Sequence, residues 1–325
     1  MLKIAAHPIF KHPLPEGHRF PMEKYELLPK QLLHEGTCTR ENFFEPELPK
    51  ISNVLAVHSQ DYVADLLELT VDKRAARKIG FPLSEELIQR ELIIAHGTMK
   101  ACDHALNYGI SMNIAGGTHH AYTSHGEAFC LLNDQAIAAR YLQKKKGIKK
   151  ILIVDLDVHQ GNGTAEIFRE DASVFTFSIH GKNNYSFRKE TSDLDIELVD
   201  QTGDKDYLEV LKNTLPELIN KVKPDFIFYL SGVDILATDK LGKLGCTIDG
   251  CKERDRYVLQ TCHDLNIPVE VSMGGGYSPE IKMIIEAHAN TFRLAQKIFF
   301  LNKQHYQNSL IKRILVVDTL IISIS

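Results

Sequence analysis

The chain has 325 residues, 44% hydrophobic and 25% charged, which is typical of a globular protein with a large core. Its formal net charge of −4, with histidine neutral, gives no electrostatic case for direct nucleic-acid binding. The six cysteines form no CxxC pair and the N-terminus has no long apolar run, so we expect a cytoplasmic protein with reduced thiols and no membrane association, or a nuclear one in a eukaryotic host.

Strand and helix signals alternate along the chain, which predicts a parallel sheet covered by helices. A first strand is expected at residues 1–7, and no Pro-, Gly- or Ser-rich linker follows, so we predict one domain over residues 1–300. Residues 182–199 are polar and irregular, which predicts a long loop over the site face. Helices are predicted at residues 22–35, 84–107, 133–146, 204–222, 249–264 and 279–300, and strands at residues 111–115, 151–154, 174–179, 225–231 and 267–272.

The C-terminal segment, residues 301–325, ends in the apolar and β-branched run ILVVDTLIISIS. This run is too short to span a bilayer, and Asp318 interrupts it. It is either a last strand or a terminal extension without catalytic consequence, and its role stays open.

The most informative segment is residues 151–164, ILIVDLDVHQGNGT. Four apolar residues in a row predict a strand buried on both faces, and side chains at alternate positions of a strand point the same way. Asp155, Asp157 and His159 would therefore share one face, at a high cost in an apolar core unless a cation compensates their charge. Carboxylate oxygen and imidazole nitrogen are ligand types of zinc. Taken alone, the segment could also be a set of polar residues capping a strand.

Three further strands are followed by polar or glycine-rich turns. Because the carboxyl ends of parallel strands share one edge of a sheet, four such turns would converge on one crevice. The turns are GGTHHA at residues 116–121, DLDVHQGNGT at 155–164, SGVD at 231–234 and MGGGY at 273–277.

These turns, together with AFCLLND at residues 128–134, resemble the zinc-dependent histone deacetylase superfamily in content and order. The resemblance covers nearly the whole chain except the apolar tail. It implies the arginase-like α/β fold, a single-domain parallel sheet sandwiched by helices. Residues 18–22, HRFPM, are similar to bacterial deacetylase-like members and nearer to the class IV branch, and Arg19 would either reach an internal acetate-release cavity or lie on the surface.

The resemblance implies that Asp157, His159 and Asp234 bind Zn²⁺, leaving a coordination position open. It also implies a structural K⁺ near Asp155, Asp157, His159, Ser178 and Ile179.

The resemblance further implies that His120 is the general base that activates the attacking water, and that His119 acts electrostatically or as the acid towards the leaving amine. Asp155 would orient His119, whereas Asn162 stands at the position of the His120 partner. An amide supplies no negative charge, so we expect it to raise the histidine pKa less than a carboxylate would. Tyr277 would donate a hydrogen bond to the oxyanion.

The resemblance also implies that Phe129 forms one wall of a tunnel for the acyl-lysine stem and that Gly275 lines the same tunnel. Tyr185 or Phe187 would form the opposite wall, and Cys130 would line an inner cavity.

We therefore predict a zinc amidohydrolase that converts N-ε-acetyl-lysine or another acyl-lysine of a protein to free lysine and a carboxylate. The alternatives are a small acylated amine such as an acetylpolyamine, or an inactive scaffold or binding module. A rim of carboxylates would favour the acetylpolyamine, and candidates for such a rim are Glu127, Asp193, Asp195 and Glu197. The oligomeric state, the acyl length and the physiological substrate do not follow from the sequence.

Overall fold

A computed structural model describes residues 1–301. Its centre is one sheet of eight parallel strands in the order β2-β1-β3-β8-β7-β4-β5-β6, which confirms the predicted α/β class. The strands are β1 (Ile4–Ala5), β2 (Phe43–Phe44), β3 (Ile110–Asn113), β4 (Ile151–Asp155), β5 (Val174–Gly181), β6 (Leu194–Leu198), β7 (Phe226–Leu230) and β8 (Val269–Ser272).

Helices cover both faces of the sheet, because its strands are apolar on both sides. In β4, Ile151 and Ile153 pack into one apolar cluster, and Leu152 and Val154 pack into another on the opposite face. The helices are α1 (Lys24–His34), α2 (Ile51–Val54), α3 (Gln60–Leu67), α4 (Lys73–Ile79), α5 (Glu85–Tyr108), α6 (Asp134–Lys146), α7 (Asn162–Phe168), α8 (Asp204–Val222), α9 (Ile248–Asp264) and α10 (Ile281–Gln296).

The prediction of a long irregular loop at residues 182–199 is wrong in its last part. Residues Leu194–Leu198 form the edge strand β6, which pairs in parallel with β5 from Phe177↔Leu194 to Gly181↔Leu198. The LDIEL sequence alternates apolar and charged residues, as a strand at the edge of a sheet does. The last helix is also shorter than predicted, since α10 ends at Gln296 and a π-helical turn, Lys297–Leu301, follows.

The predictions for the apolar end of the chain lie outside the described residues. Within residues 1–301, no helix is long and apolar enough to cross a membrane. All six cysteines are buried and unpaired.

Candidate active site

The four polar or glycine-rich turns follow β3, β4, β7 and β8, and these strands are neighbours in the order β3-β8-β7-β4. The turns therefore meet at one edge of the sheet although they are far apart in the chain. Asp157 and His159 follow β4, and Asp234 follows the adjacent β7. One ligand atom from each of the three residues lies within 4.8 Å of those of the other two, so this cluster could hold a metal ion.

The environment of the cluster fits a cation. The three side chains are almost fully buried, and a buried carboxylate pair is unfavourable without a compensating charge. Asp157 accepts hydrogen bonds from the backbone N–H of His159 at 3.0 Å and of Gly275 at 2.9 Å. Oδ2 of Asp234 accepts none from the described residues and lies 3.3 Å from Nδ1 of His159. A carboxylate oxygen without a hydrogen-bond donor, facing an imidazole nitrogen, is suited to bind a metal.

The two histidines of the GGTHHA turn lie side by side, with ring centroids 4.1 Å apart. Each has the partner that the resemblance implies. Nδ1 of His119 lies 2.6 Å from Oδ2 of Asp155, and Nδ1 of His120 lies 2.6 Å from Oδ1 of Asn162. In the neutral form with the proton on Nδ1, each ring has a free lone pair on Nε2.

The surroundings of the two histidines give them different proton affinities. Burial lowers the pKa of His119, but the carboxylates of Asp155 and Asp157 outweigh burial and raise the pKa to about 8. Burial, together with the positive charge of His119, holds the pKa of His120 well below its usual value. The site thus pairs an imidazole that holds a proton at neutral pH with one that does not.

Tyr277 follows the glycine run after β8, and its ring packs against Phe129 and Phe20. Burial and the nearby carboxylates of Asp157 and Asp234 hold the pKa of its phenol well above the usual value, so the hydroxyl remains a donor. Its backbone N–H donates to Asp239 at 2.6 Å, which fixes the turn.

Two connected pockets surround these groups. The outer pocket has a volume of about 180 Å³, and the inner pocket, of about 40 Å³, reaches His119 and Gly275. Phe129 and Tyr277 line both. Cys130 lines the inner pocket, as expected, whereas Tyr185 lines the outer one. Phe187 is 94% exposed and lines neither, so Tyr185 is the better candidate for the opposite wall.

Of the two positions expected for Arg19, the structure shows the one at the surface, and Arg19 does not line the inner pocket. Arg19 lies at the outer pocket, with its guanidinium 4.9 Å from the centroid of the Phe129 ring. The cation at the inner pocket is Arg90 from α5, which donates to the backbone carbonyl of Phe10 and pairs with Glu91. A charged residue inside a long helix gives no sign in the sequence of facing a cavity, and Arg90 was missed for that reason.

Two further buried cations hold the turns of the site. Lys24 of α1 donates to the carbonyl of Gly274 at 3.1 Å. Arg254 of α9 donates to the carbonyls of Leu156 at 3.1 Å and Gly232 at 2.6 Å, which lie in the turns that carry the candidate metal ligands. Its charge is paired with Asp255. Neither residue is predicted from the sequence, because the charged runs in which they occur look like solvent-facing helix surface.

Of the four carboxylates proposed for an acidic rim, Glu197 is exposed on β6 and the other three are hydrogen-bonded. Asp193 accepts from Thr176, and Asp195 accepts from Gln160, so both hold β6 and its approach to the sheet. Glu127 accepts from Tyr185 and pairs with Lys78.

The residues expected around K⁺ lie on adjacent strands. Asp155 of β4 is in register with Ser178 of β5, and Ile179 follows in the same strand. All three are buried. Oγ of Ser178 lies 2.9 Å from Nδ1 of His180.

An eight-stranded parallel sheet with two carboxylates and an imidazole at its carboxyl edge has the architecture of the arginase and deacetylase folds. The histone deacetylase domain family matches residues 18–292, and the chain belongs to that family.

Its relatives include an uncharacterized protein of Picosynechococcus sp., 43% identical and aligned over 91% of this chain and 99% of that protein. Histone deacetylase 2 of Arabidopsis thaliana is 29% identical, with 82% of this chain and 72% of that protein aligned. The acetoin utilization protein AcuC of Staphylococcus aureus is 28% identical, with 81% and 73% aligned.

Among solved structures, an HDAC homolog complexed with SAHA superposes with a TM-score of 0.78 at 24% identity, over 90% of this chain and 84% of that one. The HDA15 HD domain superposes with a TM-score of 0.74 at 20% identity, over 90% of each chain. Both likenesses establish the fold.

Proposed function

We propose that this protein is a zinc-dependent deacylase that hydrolyses the side-chain amide of acetyl-lysine in proteins or peptides. The convergence of the Asp157, His159 and Asp234 cluster with two histidines and Tyr277 on one narrow pocket carries the proposal. The relatives named as histone deacetylases and AcuC, and the homolog bound to SAHA, support the same reaction class.

The pocket suits an acyl-lysine. An apolar channel lined by Phe129, Tyr185 and Leu241 would receive the methylene stem of lysine and exclude water from the reacting amide. The inner pocket, at about 40 Å³, favours an acetyl group over a long acyl chain.

The residues divide the work of amide hydrolysis between them. A Zn²⁺ held by Asp157, His159 and Asp234 would supply Lewis-acid polarisation of the amide carbonyl and of water. His120 Nε2 accepts the proton of the water that attacks the carbonyl carbon, while Asn162 holds the ring through Nδ1. The hydroxyl of Tyr277 donates to the carbonyl oxygen as negative charge develops there. When the C–N bond breaks, His119 delivers a proton to the departing amine, and acetate and free lysine result.

The different proton affinities of the two histidines support this division. A general base must be neutral before it acts, and the environment of His120 disfavours its charged form. A general acid must carry a proton, and the carboxylates around His119 favour its charged form.

Two alternatives are less well supported. A polycationic acetylpolyamine would need a carboxylate rim, and three of the four carboxylates expected to form it, Glu127, Asp193 and Asp195, already have partners within the protein. A binding module without activity would have no chemical need for the two histidines, Tyr277 and the buried ligand cluster together.

The deciding experiment measures release of free amine from an acetyl-lysine peptide, a long-chain acyl-lysine peptide and an acetylpolyamine, each with and without chelator. Chelator-sensitive turnover of the acetyl-lysine peptide is the expected result. Turnover of the acetylpolyamine alone would show that the proposed substrate is wrong. A zinc-loaded protein that is inactive on all three substrates would contradict the proposed enzymatic function.

The proposal assigns catalysis to residues 1–300 and locates the protein in the cytoplasm. A potassium ion near Asp155, Ser178 and Ile179 is part of the same proposal, because a bound cation there would stabilise the strand that carries the zinc ligands. Expression of residues 1–300 alone tests the first point, and loss of that activity would contradict it.

A further inference from the structure

Helix α4 carries an unusual concentration of positive charge for this chain. Its sequence, KRAARKI, contains four cationic residues and no acidic one, whereas the whole chain has a net charge of −4. The four side chains, Lys73, Arg74, Arg77 and Lys78, are exposed. The helix dipole favours the cations in the last turn, but not Lys73 and Arg74 in the first.

This helix forms the rim of the substrate pocket. The backbone N–H groups of Ala128 and Phe129 donate to the carbonyls of Lys78 and Ile79, at 2.9 and 2.6 Å. The aromatic wall of the pocket is therefore bonded directly to the last turn of α4. Arg19, stacked on Phe129, adds another cation at the same mouth.

A groove of about 230 Å³ runs from this rim along α4. Lys78 lines both the groove and the outer pocket, so the two are adjacent. The groove is lined by Asp72, Arg74, Ala75, Lys78, His125 and Gly126.

Two acidic side chains near the groove, Asp72 and Glu127, already have partners within the protein. Asp72 caps α4, accepting from the backbone N–H of Arg74 at 2.8 Å and of Ala75 at 3.1 Å. Glu127 pairs with Lys78 and accepts from Tyr185. Within residues 1–301, the side chains of Arg19 and Arg74 make no ion pair, so each is available to a bound anion.

We propose that this groove binds an acidic side chain of the substrate polypeptide, located within a few residues of the acyl-lysine. The inference rests on the proposed function and narrows its substrate class to acyl-lysines with acidic neighbours. An exposed guanidinium beside a concave surface attracts a carboxylate and raises the association rate. The same charges repel a polyamine and a lysine-rich peptide.

The test uses the zinc-loaded, full-length protein and three acetyl-lysine peptides of equal length, flanked by Glu, by Gln or by Arg. We expect kcat/KM to be about tenfold higher for the Glu peptide than for the Arg peptide at low salt, and the ratio to fall at high salt. In the Arg74→Glu variant the preference should disappear or reverse, while turnover of free acetyl-lysine amide is unchanged.

The matched control is Lys144→Glu, which also replaces a positive by a negative side chain. Lys144 is exposed and lies in the basic last turn of α6, away from the site. It should leave the ratio between peptides unchanged. Equal kcat/KM for the three peptides, or a ratio that Arg74→Glu and Lys144→Glu change alike, would overturn the groove while leaving the deacylase intact. Absence of turnover of every peptide would overturn the deacylase, and the groove with it.

Discussion

Tyr277 is the side chain whose proposed role depends on a single atom, its hydroxyl. The ring packs among aromatic neighbours, and the turn is held separately by its backbone N–H and by the bond from Lys24 to Gly274. Removing the hydroxyl should therefore change the chemistry without disturbing the wall of the pocket.

For Tyr277→Phe, we expect unchanged zinc content and a loss of about 3 kcal/mol in transition-state stabilisation, on the scale of one oxyanion donor. The loss should fall on kcat rather than on KM, because the hydrogen bond strengthens as charge develops on the oxygen. Steady-state kinetics on an acetyl-lysine peptide measure both constants. Full activity of the variant would contradict the assigned role.

His58 is a buried histidine with no proposed role in catalysis, and its hydrogen-bond partners are compatible only with the neutral imidazole. Its Nε2 accepts from the backbone N–H of Asn133 at 3.0 Å, so Nδ1 carries the proton and faces the carbonyl of Tyr122 at 2.9 Å. Burial lowers the pKa of His58 to about 4. A second proton, on Nε2, would face the backbone N–H of Asn133, and neither group could then accept a hydrogen bond.

This arrangement predicts sensitivity to acid. As pH falls below about 6.5, the unfolded state takes up the proton first, so stability is lost progressively until about pH 4, amounting to about 2 kcal/mol by about pH 5. Urea unfolding of metal-free protein at about pH 7 and about pH 5 should show a smaller loss for His58→Gln than for the wild type. The exposed His34→Gln variant is the control and should lose as much as the wild type.

At the scale of elements, α7 and the histidine turn are packed too closely for any side chain at Gly163. A Cβ there would lie 2.3 Å from the carbonyl oxygen of Ala121 and 2.8 Å from that of His119. Thr164 donates its backbone N–H to the same His119 carbonyl. The start of α7 therefore sets the position of the two histidines.

Replacing glycine by alanine in a helix normally stabilises it by about 1 kcal/mol, but Gly163→Ala should do the opposite. The turn must move away, so we expect lower stability and up to about 10²-fold lower kcat, measured by thermal unfolding and steady-state assay. Gly203→Ala is the control, because its nearest contact would be an ordinary 3.9 Å. Equal behaviour of the two variants would show that the close packing is unimportant.

The sequence predicted elements well where a single physical signal dominates and poorly where two compete. The apolar run of β4 and the N-cap serine of α5 mark their elements clearly. Strand β6 was missed because its alternating charges also describe a loop, and α7 because its first residues, NGT, look like part of a turn.

The same limit applies to the site. Residues that follow strand ends, such as Asp157 and Tyr277, can be located from sequence, because parallel topology brings strand ends together. The positions of Arg19, Arg90 and Arg254 depend on helix rotation and on loop paths, which no local pattern encodes. Sequence therefore predicted the reacting groups but not the cations that hold and surround them.

At the scale of the whole molecule, the candidate metal ligands join two turns that are far apart in the chain, after β4 and β7. A ligand that binds only the folded state adds its binding energy to folding. The metal should consequently cross-link the centre of the sheet in addition to acting as the Lewis acid of the reaction.

Chelation should therefore lower the melting temperature. At free zinc one hundred times the Kd, bound zinc adds about 2.7 kcal/mol to the free energy of unfolding, and chelation removes this contribution. In Asp234→Asn, metal content and melting temperature should no longer respond to zinc. The exposed Asp264→Asn variant should respond like the wild type. Elemental analysis beside calorimetry measures both quantities, and a zinc-saturated Asp234→Asn would remove that residue from the ligand set.

Arg254 connects the two turns that carry the candidate metal ligands to a helix that lines neither pocket. Activity should therefore depend on residues that do not contact the substrate as well as on those that do. In a genetic screen for loss of activity, changes at this position would score like changes in the metal ligands. Supplementing the growth medium with zinc would separate the two groups of alleles, because an intact ligand set that has lost its alignment can still be filled by mass action, whereas a missing ligand cannot be replaced.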